Sequence, residues 1–374
     1  MVMDLEDHEA AIEPATTAFQ ALYRAVLDDV DEVNSGIAWW HGYTDWRRLT
    51  LIAEYLLDST LGVSRSLAEA SLCAKLHREQ LFADNNWLNA RWKALGESSP
   101  NPGPSEFIRA AVTRNGHERS RELHVEMTAE HCFYHLAQAL DRVAAGVVAV
   151  GAIKRISLMT VDWGKLDSPR NATRDNQQSK FLEPVGAPGR DLQDLLMTTA
   201  ENWSSHGPND WLPWLIRARN SAAHRPPKLN MSFLLGGKSG SMGMLHPFYR
   251  QPGWTDTETL AAGSGGHGPA EIFILKQTPQ IVDGLVGSVT GVTASLGEVM
   301  LKVWRTRRDD PRLLVQPSEQ WPTLLGQPTL DFPGYGPDAR VHKNAQVHVS
   351  PDSAKRLTAS RVMDAARGQW QGDG

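Results

Sequence analysis

The sequence predicts a mainly α-helical protein, a helical bundle with a small β insertion and an extra helical region at its N-terminus. Three observations carry that expectation. Apolar residues recur at three- and four-residue intervals through most of the chain. The longest such stretches fall between residues 127 and 306 and number four, enough for a bundle. Between about 230 and 276 the pattern changes to short apolar runs separated by glycine-rich turns.

Taken in order, residues 15–33 predict a first helix, and 45–58, 63–82 and 84–95 predict three more. The run GESSPNPGP, 96–104, has Pro, Gly and Ser without apolar periodicity and reads as a linker. Ser105 is placed to cap a short helix after it. The best helix runs from about Ala129 to Ile153, with Cys132, Phe133, Leu136, Leu140, Val143 and Val147 on one face. Thr128 fits its N-cap, and Glu130 favours the first-turn dipole. Residues 154–189 are polar and rich in Pro and Gly, the composition of a long loop. Asp191 is placed to cap the next helix, which the HGP run at 206–208 closes. Asn209 or Asp210 caps another, which must end near Pro226.

The runs MSFLL (231–235) and EIFIL (271–275) predict short strands. Thr278 followed by Pro279 opens a further long helix. Gly284, Gly287 and Gly291 weaken that helix by about 1 kcal/mol each relative to Ala. Their spacing points to a neighbouring helix or subunit packed closely there. Beyond Asp310 the chain is Pro-rich, with one alternating strand, RVHKNAQVHV, and a short final helix. The expected division is 1–103, an N-terminal helical region; 104–310, a bundle with its insertion at about 230–276; and 311–374, a tail.

Composition narrows the function classes. With 41% hydrophobic and 22% charged residues, the 374-residue chain is ordinary for a globular protein. No run of about 18 apolar residues exists, so no membrane partner is expected. The acidic N-terminus lacks the basic and apolar parts of a signal peptide. Two cysteines, Cys73 and Cys132, make no metal or disulfide spacing, and a cytoplasmic setting is expected. A net charge of −5 argues against indiscriminate nucleic-acid binding. Yet Trp211 to Thr255 contains no Asp or Glu, while Arg217, Arg219, Arg225, Lys228, Lys238 and Arg250 are all basic. Two readings of that stretch stand: a site for an anionic ligand, or a segment whose carboxylate partners come from elsewhere in the fold.

Most chemical candidates fail on spacing. GGKSGS needs a glycine at position 232 to make a phosphate loop, and that residue is Ser232. His131 and His135 have metal-ligand spacing on a helix, but no third ligand joins them, and a solvated polar face fits better. His342 and His348 share a strand face about 20 Å apart, too far for one ion. Metal ligands and cofactors are therefore expected to be none. The 13 tryptophans read as core and interface filling, with base stacking as the alternative.

RNSAAHRPP, residues 219–227, remains. At about 100° per residue, Leu212, Leu215, Ile216, Ala222 and Ala223 define one apolar face, with Arg219 in its middle. A guanidinium there needs an anion, a route to solvent or a polar interface. Arg217, Asn220, Ser221 and His224 fall on the opposite flank, which puts Arg219 and His224 about 140° apart. They converge if the helix opens before Pro226, or if two copies meet across a symmetric interface. As a lone capping or salt-bridging pair they have a purely structural reading as well.

Arg219-Asn220-x-x-x-His224 resembles the R-(polar)-x-x-x-H signature of the HEPN ribonucleases, and the Trp- and Leu-rich lead-in within a bundle of long helices is similar too. The close match covers about residues 211–225, with looser agreement over 127–306. The resemblance implies a HEPN-like bundle, a homodimer and metal-independent cleavage of RNA in a cleft shared by two subunits. His224 would act as general base or acid, Arg219 would hold the phosphate, and Asn220 would orient His224 or contact the phosphate. Arg217, Arg225 and Lys228 would bind the RNA. Many such proteins are toxins or anti-phage effectors restrained by an inhibitory partner protein. The alternative is a non-catalytic HEPN-like module that binds nucleotide or RNA, or dimerises, as an adaptor.

Overall fold

The computed structural model describes residues 5–34, 36–40, 46–98, 103–224, 232–235, 244–247, 249, 258, 261, 265–266, 269–313 and 349–360. Among these the protein is mainly α-helical. Helices α1 (Leu5–Ala10), α2 (Glu13–Asp28), α3 (Trp46–Ser98), α4 (Pro104–Val112) and α5 (Gly116–Gly151) come first along the chain. Then come α6 (Asp167–Arg174), α7 (Arg190–Glu201) and α8 (Trp211–His224). Strands β1 (Ser232–Leu235) and β2 (Met244–Pro247) pair antiparallel, with Phe233 opposite His246. Helices α9 (Pro269–Ile272), α10 (Thr278–Asp309) and α11 (Pro351–Ala359) follow.

Several expected boundaries move, each for a local reason. The three helices expected over 45–95 are one 53-residue helix, α3. No proline interrupts that stretch, and Gly62, at one expected break, instead admits a neighbour. The Arg142 guanidinium donates to the Gly62 carbonyl at 2.7 Å, and a Cβ on Gly62 would meet the Arg142 side chain at 2.9 Å. Ser105 lies inside α4, whose N-cap is Gly103; its N–H donates to Glu106 Oε2 at 2.9 Å. Helix α5 begins 13 residues before Ala129. Asn115 and Glu118 close a capping box at its start, each side chain accepting the other's backbone N–H at 3.0 and 2.6 Å. Thr128 therefore sits mid-helix, its hydroxyl donating to the His124 carbonyl at 2.7 Å.

The expected loop at 154–189 contains a 3₁₀ turn at Trp163–Leu166, capped by Asp162, and then α6. Asp191 lies in the first turn of α7 rather than capping it. Of the strand expected at EIFIL, Glu271 and Ile272 instead end α9, while Phe273 makes a β-bridge and the Ile274 N–H donates to the Tyr249 carbonyl at 2.9 Å; Ile272 and Phe273 are buried, and β1 pairs with β2. The alternating strand expected at 340–349 lies outside the described residues, apart from Val349, as do His342 and His348.

The chain packs as two compact units that do not follow chain order. One comprises Met1–Thr16, Val63–Leu140 and Glu201–Ala294, the other Thr17–Gly62, Asp141–Ala200 and Ser295–Gly374. In the first, α3 and α5 run antiparallel, Ser66 bonding Gln138 while His77 bonds the Val125 carbonyl. His77 also bonds the Thr278 hydroxyl, tying α10 to both. In the second unit, Trp39, Trp40 and Trp304 pack edge to face, and the Trp39 and Trp304 indoles both donate to Asp29, at 3.1 and 2.8 Å. Gln193 there closes the end of α5, its amide donating to the Gly151 carbonyl at 3.0 Å. By length and composition α10 could cross a membrane, but 61% of its most apolar window is buried inside the protein.

Candidate functional site

Helix α8 carries every candidate site residue that lies among the described ones. It starts where Pro208, Asn209 and Asp210 turn the chain, with the Pro208 and Asp210 carbonyls accepting the Trp211 and Trp214 N–H groups at 3.0 Å each. Pro213 sits in the first turn, where its missing N–H costs nothing. Four large side chains then fix the first half of the helix. Trp211, Leu212, Trp214 and Leu215 are buried, and the Trp211 indole donates to the Trp203 carbonyl at 3.1 Å. Trp214 meets Phe133 of α5 edge to face at 5.4 Å, and Tyr249 touches both rings. That triangle was not visible in the sequence, because Tyr249 is 35 residues from Trp214 with no periodicity to link them. Burial pushes the Tyr249 phenol well above its usual range, with Cys132 and two glutamates of α5 adding to the effect.

The second half of α8 leaves the core. Ile216, Arg219 and Ser221 are half-buried, while Arg217, Asn220 and Ala222 are exposed. The apolar face expected through Ala222 thus stops short: Leu212 and Leu215 are inside, and Ala222 faces solvent. Arg219 lies at the border and is engaged with other groups of the protein. Arg217 folds back on its own helix, its Nε donating to the Pro213 carbonyl at 3.3 Å. The helix stays intact through His224. Pro226 therefore does not free His224 from the helix, a correction to the first route by which Arg219 and His224 could converge. They remain about 140° apart on the α8 backbone. Arg225 and Lys228 lie outside the described residues.

Elsewhere, His135 lies 3.1 Å from the Glu69 carboxylate, and among the described residues no three His, Cys, Asp or Glu side chains gather in metal-binding geometry. Cys73 is half-buried and Cys132 buried, both as free thiols, and burial raises both. A buried histidine that the sequence did not single out, His77, is pulled below its usual range by burial. The Val125 hydrogen bond opposes that shift and Arg78 adds to it.

What the fold defines is a mainly α-helical protein whose α8 ends in an acid-free basic stretch. Comparison with protein-family models, curated proteins and solved structures finds no match for the chain.

Proposed function

We propose that this chain is a metal-independent RNA endonuclease whose site joins Arg219 and His224 of two copies across a homodimer interface, on a HEPN-like bundle bearing a β insertion. The observation that carries this reading is the layout of α8. Its first half is anchored by buried aromatic rings, its last turns emerge from the core, and Arg219 stands at the border. With the helix unbroken to His224, the backbone positions of Arg219 and His224 lie about 140° apart around α8, which favours a site completed by a second copy. In that site His224 takes the proton of a ribose 2′-hydroxyl as its oxygen attacks phosphorus, and a histidine returns a proton to the departing 5′ oxygen. Arg219 holds the phosphate with two parallel N–H donors and stabilises the charge that builds on it. Asn220 orients His224 or the phosphate, and Arg217, Arg225 and Lys228 hold the flanking backbone. A cytoplasmic toxin or anti-phage effector kept in check by a partner protein fits this activity.

One observation favours the second reading, a non-catalytic module that binds nucleotide or RNA. Arg219 already has partners within its own chain, and an arginine so engaged can serve the fold alone. Cleavage of total RNA in the presence of chelator separates the two. The nuclease reading expects cleavage by wild type and a loss of at least about 100-fold in His224→Ala, with helicity and oligomeric state unchanged. Undiminished cleavage by the variant, or activity that disappears with chelator, overturns it. The binding reading expects no cleavage and weaker RNA affinity in Arg219→Ala.

A further inference from the structure

Helix α11 is specified locally and held remotely. Ser350 caps it by accepting the Ser353 N–H at 3.2 Å, Pro351 occupies the first position, and Asp352 favours the first-turn dipole. At nine residues it is shorter than the about 12–15 that a helix needs to stand alone in water. Only Ala359 is buried along its whole length. What seats it on α2 and α3 is charge. Arg24 of α2 meets Asp352 at 2.7 Å, and Lys355 donates to the Asp28 carbonyl at 3.2 Å. Arg356 is the centre of the contact, with Nε and Nη2 on Glu54 Oε2 at 3.0 and 2.7 Å and Nη2 also on Asp58.

The seat has a reason to take a cation. Glu54 and Asp58 are four apart on α3, where like charges repel along one helix face. The Arg356 guanidinium lies between them with its side chain 16% exposed. Burial alone would lower the Arg356 pKa, but the two carboxylates more than offset that and hold it firmly charged. Salt screens such contacts and does little to apolar ones.

We infer that Glu54 and Asp58, flanked by Arg24 and the Asp28 carbonyl, form a receptor for a short arginine-bearing helix, and that α11 occupies it as a releasable ligand. A helix fits when it offers an acid toward Arg24 and a Lys-Arg pair one turn later, the pattern of Asp352, Lys355 and Arg356. A separate peptide of that chemistry competes for the seat. The inference does not rest on the nuclease reading.

The test uses the full chain and a fluorescent peptide of residues 349–360. The Arg356→Glu chain should capture the peptide saturably and about tenfold or more tightly than wild type, whose tethered helix competes at high effective concentration. Adding Glu54→Lys and Asp58→Lys to that chain should abolish capture, as should Arg356→Glu within the peptide. In wild type, amide exchange over 351–359 should accelerate between about 0.05 and about 0.5 M salt while buried α10 stays protected. Capture no better in Arg356→Glu than in wild type overturns the inference. So does exchange over 351–359 that is insensitive to salt and as slow as in α10, a result that needs no variant to fold.

Discussion

His77 has both ring nitrogens committed, one of them to a carbonyl, and its burial favours the neutral ring. A carbonyl can only accept, so Nδ1 carries the hydrogen that the Val125 oxygen receives at 2.9 Å. In the neutral ring Nε2 is bare and accepts the Thr278 hydroxyl, also at 2.9 Å. Charging the ring would force Nε2 to donate to that hydroxyl, at the positive N-terminus of α10 and near Arg78. The folded protein therefore holds His77 neutral below the value near 6.5 at which the unfolded chain takes up a proton. Stability follows with a definite sign. Below about pH 6.5 the unfolded state binds the proton and the native state does not, so the stability present above that pH drains away as pH falls. We expect the urea midpoint of wild type to fall more between about pH 7 and pH 5.5 than that of His77→Gln. Equal losses in the two proteins contradict the assignment. At neutral pH His77→Ala should cost about 2–4 kcal/mol, because it leaves a cavity and strips the partners of two buried hydrogen bonds.

At the scale of the helix, the glycines of α10 separate two roles that look alike in sequence. A Cβ on Gly284 or Gly287 would meet nothing within 4 Å, whereas one on Gly297 would strike Ala18 and the Phe19 ring at 2.9 and 3.0 Å. Gly291 faces His206. Within the chain, then, the spacing of Gly284, Gly287 and Gly291 does not mark one packed seam; Gly297, outside that spacing, is where a helix comes close. Gly284→Ala and Gly287→Ala should each raise stability by about 0.5–1 kcal/mol, and Gly297→Ala should lower it by about 1–3 kcal/mol, all read from urea midpoints. A concentration-dependent loss in the first two would show instead that a second copy packs there. This contrast also shows what the sequence could tell. The buried stripes of α5 and α10 were legible because each keeps one periodicity over many turns. The unbroken α3 was not, since a glycine that admits Arg142 is spelled like one that ends a helix. The start of α5 was hidden because residues 116–128 bury almost nothing and depend on the Asn115–Glu118 box. Of the candidate site, the position of Arg219 on α8 was readable from spacing. Its anchoring through Phe133 and Tyr249 was not, because those contacts join residues far apart in the chain.

For the whole molecule, the question is whether one copy suffices to make the proposed site. The backbone positions of Arg219 and His224 fall about 140° apart around the intact α8, and the proposed site takes the arginine from one copy and the histidine from the other. That predicts complementation between two inactive chains. Arg219→Ala alone and His224→Ala alone should each lose RNA cleavage. Mixed in equal amounts and allowed to exchange subunits, half of the dimers pair one variant with the other. Each such dimer has one site with both groups, the arginine from the His224→Ala chain and the histidine from the Arg219→Ala chain. Activity should return to about a quarter of the wild-type level, since half the dimers carry one of two sites. If both groups act from one chain, every site in the mixture lacks one of them and nothing returns. Measuring cleavage against the mixing ratio sharpens the test, because restored activity should peak at equal amounts and vanish at either end. A flat baseline from dimers shown to exchange their subunits would sink the shared site, even if wild type cuts RNA.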